Sequence, residues 1–222
     1  DLGRLRQVFR GRELYLTVGS DVVANASSYK VEATPGSVHS LNHIIFRRAA
    51  TNEQIQEEII ISHITGKVIH LELPTHLEDI SSSRIRECLK RGDVESAERL
   101  LGRPYSLETA VVHGKALGRT IGFPTANIEL PQGVIVPRHG VYACRAYVGE
   151  KRYMAVCNVG NRPTVQGHQV RTETWLLDFD GDLYGKTVTV EFYGRGRGEM
   201  QFENVDELRR AITLDCDRAR AY

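Results

Sequence analysis

The sequence predicts an α/β segment up to about residue 102, then an all-β domain that closes on a single helix. Three observations carry this. Before residue 102, short apolar strand candidates alternate with helical stretches, the pattern of a parallel sheet with helical crossovers. After Pro104, short strand candidates are separated by Gly, Pro and Asp turns, a spacing that suggests a small barrel or sandwich. Residues 204 to 222 read as a final helix, with Leu208, Ile212 and Asp215 on its inner side and cations elsewhere.

Leu2 to Phe9 reads as a short amphipathic helix. Glu13 to Val18 is a compact apolar strand ending at Gly19-Ser-Asp21. His43 to Phe46 and Lys67 to Leu71 are two further strands, and Gln54 to Ile61 lies between them with mixed charges. Ser81-Ser-Ser-Arg-Ile-Arg86 opens a helix, because serine is a favoured N-cap and Ile85 and Leu89 lie four apart on one face. Gly92 ends it. Asp93 caps the next helix, Val94 to Leu101, which Gly102 and Pro104 close. This pair reads as a bridge between two domains, residues 1–102 and 103–222. The strands of the second domain are Ala110 to His113, Val141 to Val148, Tyr153 to Asn158, Thr172 to Phe179 and Thr187 to Phe192.

The bulk properties exclude several classes. A net charge of +1 over 222 residues gives no global field for nucleic acid or a membrane surface. No apolar run is long enough to span a bilayer, and no secretory pattern is present. Cys88, Cys144, Cys157 and Cys216 form no C-x-x-C pair and read as reduced thiols of a cytoplasmic protein. The chain begins at Asp1 rather than Met, which reads as part of a longer chain.

The segment from Gly114 to Asn127 carries the most chemistry. Its glycines let backbone N–H groups approach an anion, and Lys115 and Arg119 favour phosphate. Thr125 and Asn127 offer neutral oxygens of the kind that Mg²⁺ accepts beside phosphates. It is not a Walker loop, since Ala116 follows Gly114-Lys115. Glycine spacing alone also fits a plain surface turn. Alternation places Glu173 with Trp175, Leu177 and Phe179 on an apolar face, where burial would raise its pKa toward that of a general base. The other reading is an exposed strand start paired to Arg171 or Lys151. Asp178 to Asp182 is no calcium loop, since Leu183 stands where glycine is needed, and its Asp-Gly predicts a tight hairpin turn. His39 and His43 have no third ligand near and read as surface or loop residues.

Arg103-Pro-Tyr-Ser106, Gly122 to Asn127, Gly140-Val-Tyr142, Asn158 to Thr164, Glu173, Leu177 to Gly185 and Phe202 occur in the order seen in riboflavin kinases. From about residue 103 the chain resembles the kinase domain of the bacterial bifunctional riboflavin kinase/FAD synthetases. The resemblance implies a Greek-key β-barrel with a C-terminal helix, and transfer of the ATP γ-phosphate to the riboflavin 5′-hydroxyl to give FMN and ADP. It implies ATP contacts at Gly114, Lys115, Gly118, Arg119, Gly122, Pro124, Thr125 and Asn158. It puts Mg²⁺, or another divalent cation, on Thr125 and Asn127. It makes Glu173 the group that takes the hydroxyl proton, and sets Arg197 and Glu199 at the flavin. Gly196 departs from the family pattern, which has a large apolar residue there, and Gly198 adds a second glycine. A more mobile loop is the expectation.

Ile80 to Arg86 resembles the phosphate-binding motif of nucleotidyltransferases, with Ser81, Ser82 and Arg86 at a triphosphate; an ordinary capped helix is the other reading. The strand ending at Gly19-Ser-Asp21 resembles that of nicotinate-nucleotide adenylyltransferases. That superfamily also needs His-x-Gly-His, which does not occur here. The first segment therefore reads as part of a nucleotidyltransferase that does no adenylyl transfer and is completed by another chain or less stable than the kinase domain. Two further readings stay open: adenylyl transfer making FAD or a pyridine dinucleotide, and a non-catalytic flavin- or nucleotide-binding module.

Overall fold

A computed structural model of the chain describes residues 2–47, 59–77, 79–114, 118, 121–128, 130, 133–164 and 167–222, with the backbone alone at Thr75 and 161–169. The expected helical stretch from Gln54 lies mostly outside these residues. The chain forms two compact units, Asp1–Asp79 and Ile80–Tyr222.

In the first unit, β1 (Tyr15–Gly19), β2 (Asn42–Arg47) and β3 (Val68–Glu72) form a parallel sheet in that order. Helix α1 (Leu2–Val8) precedes it, and a short helix unforeseen in the sequence, α2 (Ser20–Asn25), follows β1. Val23, Tyr29 and Ile45 make the core. His39 and His43 are not surface residues: they are 1% and 0% exposed. His43 Nδ1 donates to the Leu41 carbonyl at 2.9 Å, so its Nε2 is free to accept from the Tyr29 hydroxyl at 2.9 Å. Burial pushes the His43 pKa below its ordinary value.

The second unit begins with α3 (Ser82–Arg91) and α4 (Val94–Leu101). Ser81 Oγ accepts from the Arg84 amide, and Asp93 Oδ1 from that of Ser96, so both predicted N-caps are formed. Gly92 and Gly102 end the helices in the left-handed conformation. The pair does not bridge two domains. Cys88, Leu89, Val94 and Ala97 are buried in the barrel's own core cluster, which moves the boundary expected near residue 102 back to Asp79.

The barrel strands are β4 (Tyr105–Val112), β5 (Ala126–Ile128), β6 (Gly140–Val148), β7 (Lys151–Thr164), β8 (Gly167–Leu176) and β9 (Thr187–Arg197). They close in the order β4-β5-β8-β7-β6-β9, antiparallel throughout. Consecutive β6, β7 and β8 lie side by side and β9 returns beside β6, which is a Greek key. The Asp-Gly segment is therefore no hairpin: β8 and β9 are not neighbours, and residues 177–186 cross between them. Tyr142, Cys144, Ala155, Cys157, Val190 and Phe192 fill the barrel, while α5 (Val205–Arg220) covers part of its outside over Val141, Ala143, Val156 and Leu177. All four cysteines are free and buried. Among the described residues no helix is long and apolar enough to cross a membrane.

Candidate active site

A cleft of about 450 Å³ opens on the outer barrel face beside α5. Strand register explains what gathers there. Asn127 on β5 pairs with Glu173 on β8, and Glu173 pairs with Asn158 on β7. Directly paired residues project to one side of a sheet, with Cβ atoms about 4.5–5.5 Å apart. Three polar side chains thus stand in a row across three strands. The row continues through Val141 to Arg197, the next partners on β6 and β9.

Glu173 does not sit buried among apolar groups; it is exposed on the cleft floor. Alternation identified its face correctly but not what covers that face. Thr172, Thr174 and Leu176 turn inward, while Trp175 and Leu177 pack outside beneath α5. The cover ends short of Glu173. Nearby, Phe123 meets Trp175 edge-on at 4.8 Å and forms one wall.

The glycine segment fits this row closely. A Cβ added to Gly114 would lie 2.6 Å from Asn127 Oδ1 and closer still to the rest of its amide. A Cβ on Gly118 would lie 3.1 Å from Thr125 Oγ1, and the Gly118 carbonyl accepts from the Ile121 and Phe123 amides. Absent side chains at 114 and 118 thus leave room for the Asn127 amide, the Phe123 carbonyl and the Thr125 hydroxyl. Gly122 has φ +90°, which favours glycine, and Gly122 and Pro124 are exposed. Lys115 and Arg119 lie outside the described residues. Gly118, Thr125, Asn127 and Asn158 line the cleft. Among the described residues no group of His, Cys, Asp and Glu gathers to hold a metal. Thr125 and Asn127 bring neutral oxygens to the cleft, and Glu173 brings a carboxylate beside them.

Arg197 and Glu199 line the other end. Arg197 Nε and Nη2 donate to the Asp215 carboxylate at 2.8–3.2 Å, a two-pronged pair with side chains only 17% and 4% exposed. Its guanidinium also lies 5.7 Å from the Phe202 ring. The sequence placed Asp215 on the inner side of α5 but gave it no role. Asp215 clasps α5 to the barrel and fixes Arg197. Glu199 Oε2 lies 3.5 Å from His139 Nδ1. Ser81, Ser82 and Arg86 lie outside this cleft, at the start of α3, where the Ser81 hydroxyl caps the helix.

A family model described as Flavokinase, riboflavin kinase, matches residues 101–222. The chain belongs to the riboflavin kinase family. It is 45% identical over 146 residues to the bifunctional riboflavin kinase/FMN adenylyltransferase of Bacillus subtilis, across 64% of this chain and 46% of that one. The protein of the same description from Haemophilus influenzae is 44% identical over 144 residues, with the same coverage. The chain thus spans about half the length of these curated relatives. A solved structure titled macrolide-efflux protein, from Streptococcus pneumoniae, overlays with a TM-score of 0.70 at 32% identity, covering 82% of this chain and 60% of that one.

Proposed function

We propose that the chain is a cytoplasmic riboflavin kinase that transfers the γ-phosphate of ATP to the riboflavin 5′-hydroxyl, giving FMN and ADP. The observation that carries this is the row Asn127–Glu173–Asn158, set on the floor of a cleft with the glycine segment at one end and Arg197 at the other. In-line phosphoryl transfer asks mainly for positioning and charge neutralisation. Gly114, Gly118, Gly122 and Pro124, with Lys115 and Arg119, hold the nucleotide phosphates. Thr125 and Asn127 hold a divalent cation, Mg²⁺ by its preference for oxygen, which neutralises charge on the β- and γ-phosphates when bound.

Glu173 accepts the hydrogen bond of the 5′-hydroxyl, orients its oxygen and takes the proton as the new P–O bond forms. The bond to the ADP oxygen breaks and ADP carries the electron pair away. A loose transition state does not demand early proton removal, so an exposed carboxylate beside the phosphate suffices. Asn158, next to Glu173 in the row, holds the group in flight. Trp175, Phe202 and Ile212 supply an apolar lining for a flat ring system, and Arg197 and Glu199 address its polar edge.

Incubating the chain with riboflavin, ATP and Mg²⁺ and separating the flavins by chromatography tests this. FMN and ADP in equal amounts are expected; bound flavin with no turnover would leave a binding module instead. The curated relatives' names also include FMN adenylyltransferase. These 222 residues contain no His-x-Gly-His, so FMN with ATP should yield neither FAD nor pyrophosphate.

A further inference from the structure

A second hollow, of about 590 Å³, lies beside the cleft in the same unit. Lys90, Arg138, His139 and Arg195 line it, with Glu199 as the one carboxylate among its lining residues. Among the described residues no carboxylate pairs with Lys90, Arg138 or Arg195. The lining therefore carries three permanent positive charges against one negative. Nothing proposed for the kinase reaction uses this excess.

Its geometry is built, not incidental. Two irregularities in the β6–β9 pairing leave Tyr193 and Gly196 as extra residues, so Arg195 pairs with Tyr142 while Arg197 pairs with Val141. The two arginines consequently serve different hollows. Arg195 is threaded between two glycines: a Cβ on Gly92 would lie 2.6 Å from its Cδ, and one on Gly140 would lie 3.0 Å from its Nε. Its Nη2 donates to the His139 carbonyl at 2.8 Å, and its Nε is buried with no partner. A guanidinium fixed in this way loses little freedom on meeting an anion. The Arg138 amide is anchored to the Leu89 carbonyl at 2.9 Å.

The C-terminal end of α3 lies here, and a helix C-terminus disfavours anions. Two of its last four carbonyls are already occupied, however. Cys88 accepts from the Asp93 amide, and Leu89 from those of Gly92 and Arg138. The cations then decide the sign. Val136 and Val170 give the hollow an apolar side as well, which suits a ligand larger than a bare ion.

We propose that this hollow binds a phosphate dianion, free or carried by a small phosphomonoester. Glu199 couples it to the kinase cleft, because this residue lines both hollows and its carboxylate lies 3.5 Å from His139 within the second. Phosphate takes over the His139 contact, and its charge repels the Glu199 carboxylate toward the cleft. The coupling rests on the kinase reading; the binding site does not.

The test is a titration of the full chain with sodium phosphate, followed by amide NMR at constant ionic strength, with chloride as control and with Mg²⁺ and ADP present to fill the cleft. Saturable shifts are expected at Lys90, Arg138, His139 and Gly198. Lys90→Gln and Arg138→Gln, both at exposed side chains, should each weaken phosphate binding by about 5–10-fold. The double variant should lose saturation while forming FMN at the parental rate. Glu199→Gln should bind phosphate several-fold more tightly. Ribose 5-phosphate tighter than inorganic phosphate, with ribose inert, would identify an ester ligand; equal affinities would identify the free ion. Shifts that match chloride, or that persist unchanged in the double variant with native circular dichroism, would overturn the proposal. The readout needs no riboflavin and no turnover, so it fails or succeeds apart from the kinase assay.

Discussion

Replacing Gly114 with Ala is the sharpest perturbation of the proposed metal site. The backbone at Gly114 is not in the left-handed region, so alanine is sterically admissible there by conformation alone. What it meets is the Asn127 amide, with Oδ1 at 2.6 Å where ordinary contact begins at 3.4 Å. The oxygen must retreat by about 0.8 Å, whereas metal–ligand distances tolerate about 0.2 Å. Asn127 is 6% exposed and has little room to swing and return. Disturbing a group that supports a ligand typically costs about 10–100-fold in metal affinity or activity. Gly114→Ala should therefore raise the Mg²⁺ concentration for half-maximal FMN formation by about that factor. Crowding the buried Asn127 amide should also cost about 1–3 kcal/mol of folding stability, offset in part by about 0.4–1 kcal/mol from the stiffer unfolded chain. A fluorescence assay of FMN across a Mg²⁺ titration, with thermal unfolding alongside, separates the two effects. A parental Mg²⁺ curve in a folded variant would refute the assignment of Asn127 to the metal.

Glu173→Gln should lower kcat by about 10²–10⁴-fold with a parental melting temperature, and a parental kcat would remove Glu173 from the reaction. Asp215→Ala strands Arg197 with only the Gly198 carbonyl and the Phe202 ring; it should cost about 2–3 kcal/mol in urea unfolding, short of a fully buried pair because Arg197 is 17% exposed, and raise the riboflavin KM. His43 has a folded pKa below its unfolded value, so the unfolded state binds more protons as pH falls below about 6.5, and the first unit should lose stability from there downward. The opening free energy at residues 42–47, read from hydrogen exchange after correction for the pH dependence of intrinsic exchange, should fall between pH 7 and 5.5, and His43→Gln should flatten that slope.

Local signals in the sequence were dependable because each is completed within a few residues. The N-caps Ser81 and Asp93, the closing Gly92 and Gly102 and the last helix all arise from contacts at short range. The errors lie where a second element decides. One face of β8 lines the barrel interior and the other is covered around Trp175 in the outer cluster with α5 but not at Glu173, so alternation could identify the face of Glu173 but not where its cover ends. The Asp-Gly turn carries hairpin chemistry, yet β8 and β9 are separated by β7 and β6, and a turn residue cannot report that. His39 and His43 have the composition of a loop but are enclosed around Tyr29, one through a hydrogen bond and both through ring contacts.

The row of Asn127, Glu173 and Asn158 shows what kind of information was missing. These residues lie far apart in sequence and meet only through register, which is set jointly by three strands. A one-residue slip in any pairing would put a side chain on the wrong face. The same dependence separates Arg195 from Arg197. Simple alternation from Phe192 places both arginines on one face. Two extra residues, Tyr193 and Gly196, break that alternation. Gly196, the departure from the family pattern, is the residue skipped between the two arginines. A large apolar side chain is thus replaced where the strand bulges, and a Cβ there would come no nearer than 3.6 Å to the Val141 carbonyl. Gly196→Leu should therefore be accommodated, with Arg197 still on Asp215. If it instead released Arg197 and raised the riboflavin KM, the glycine would be required by the bulge and not merely permitted by it.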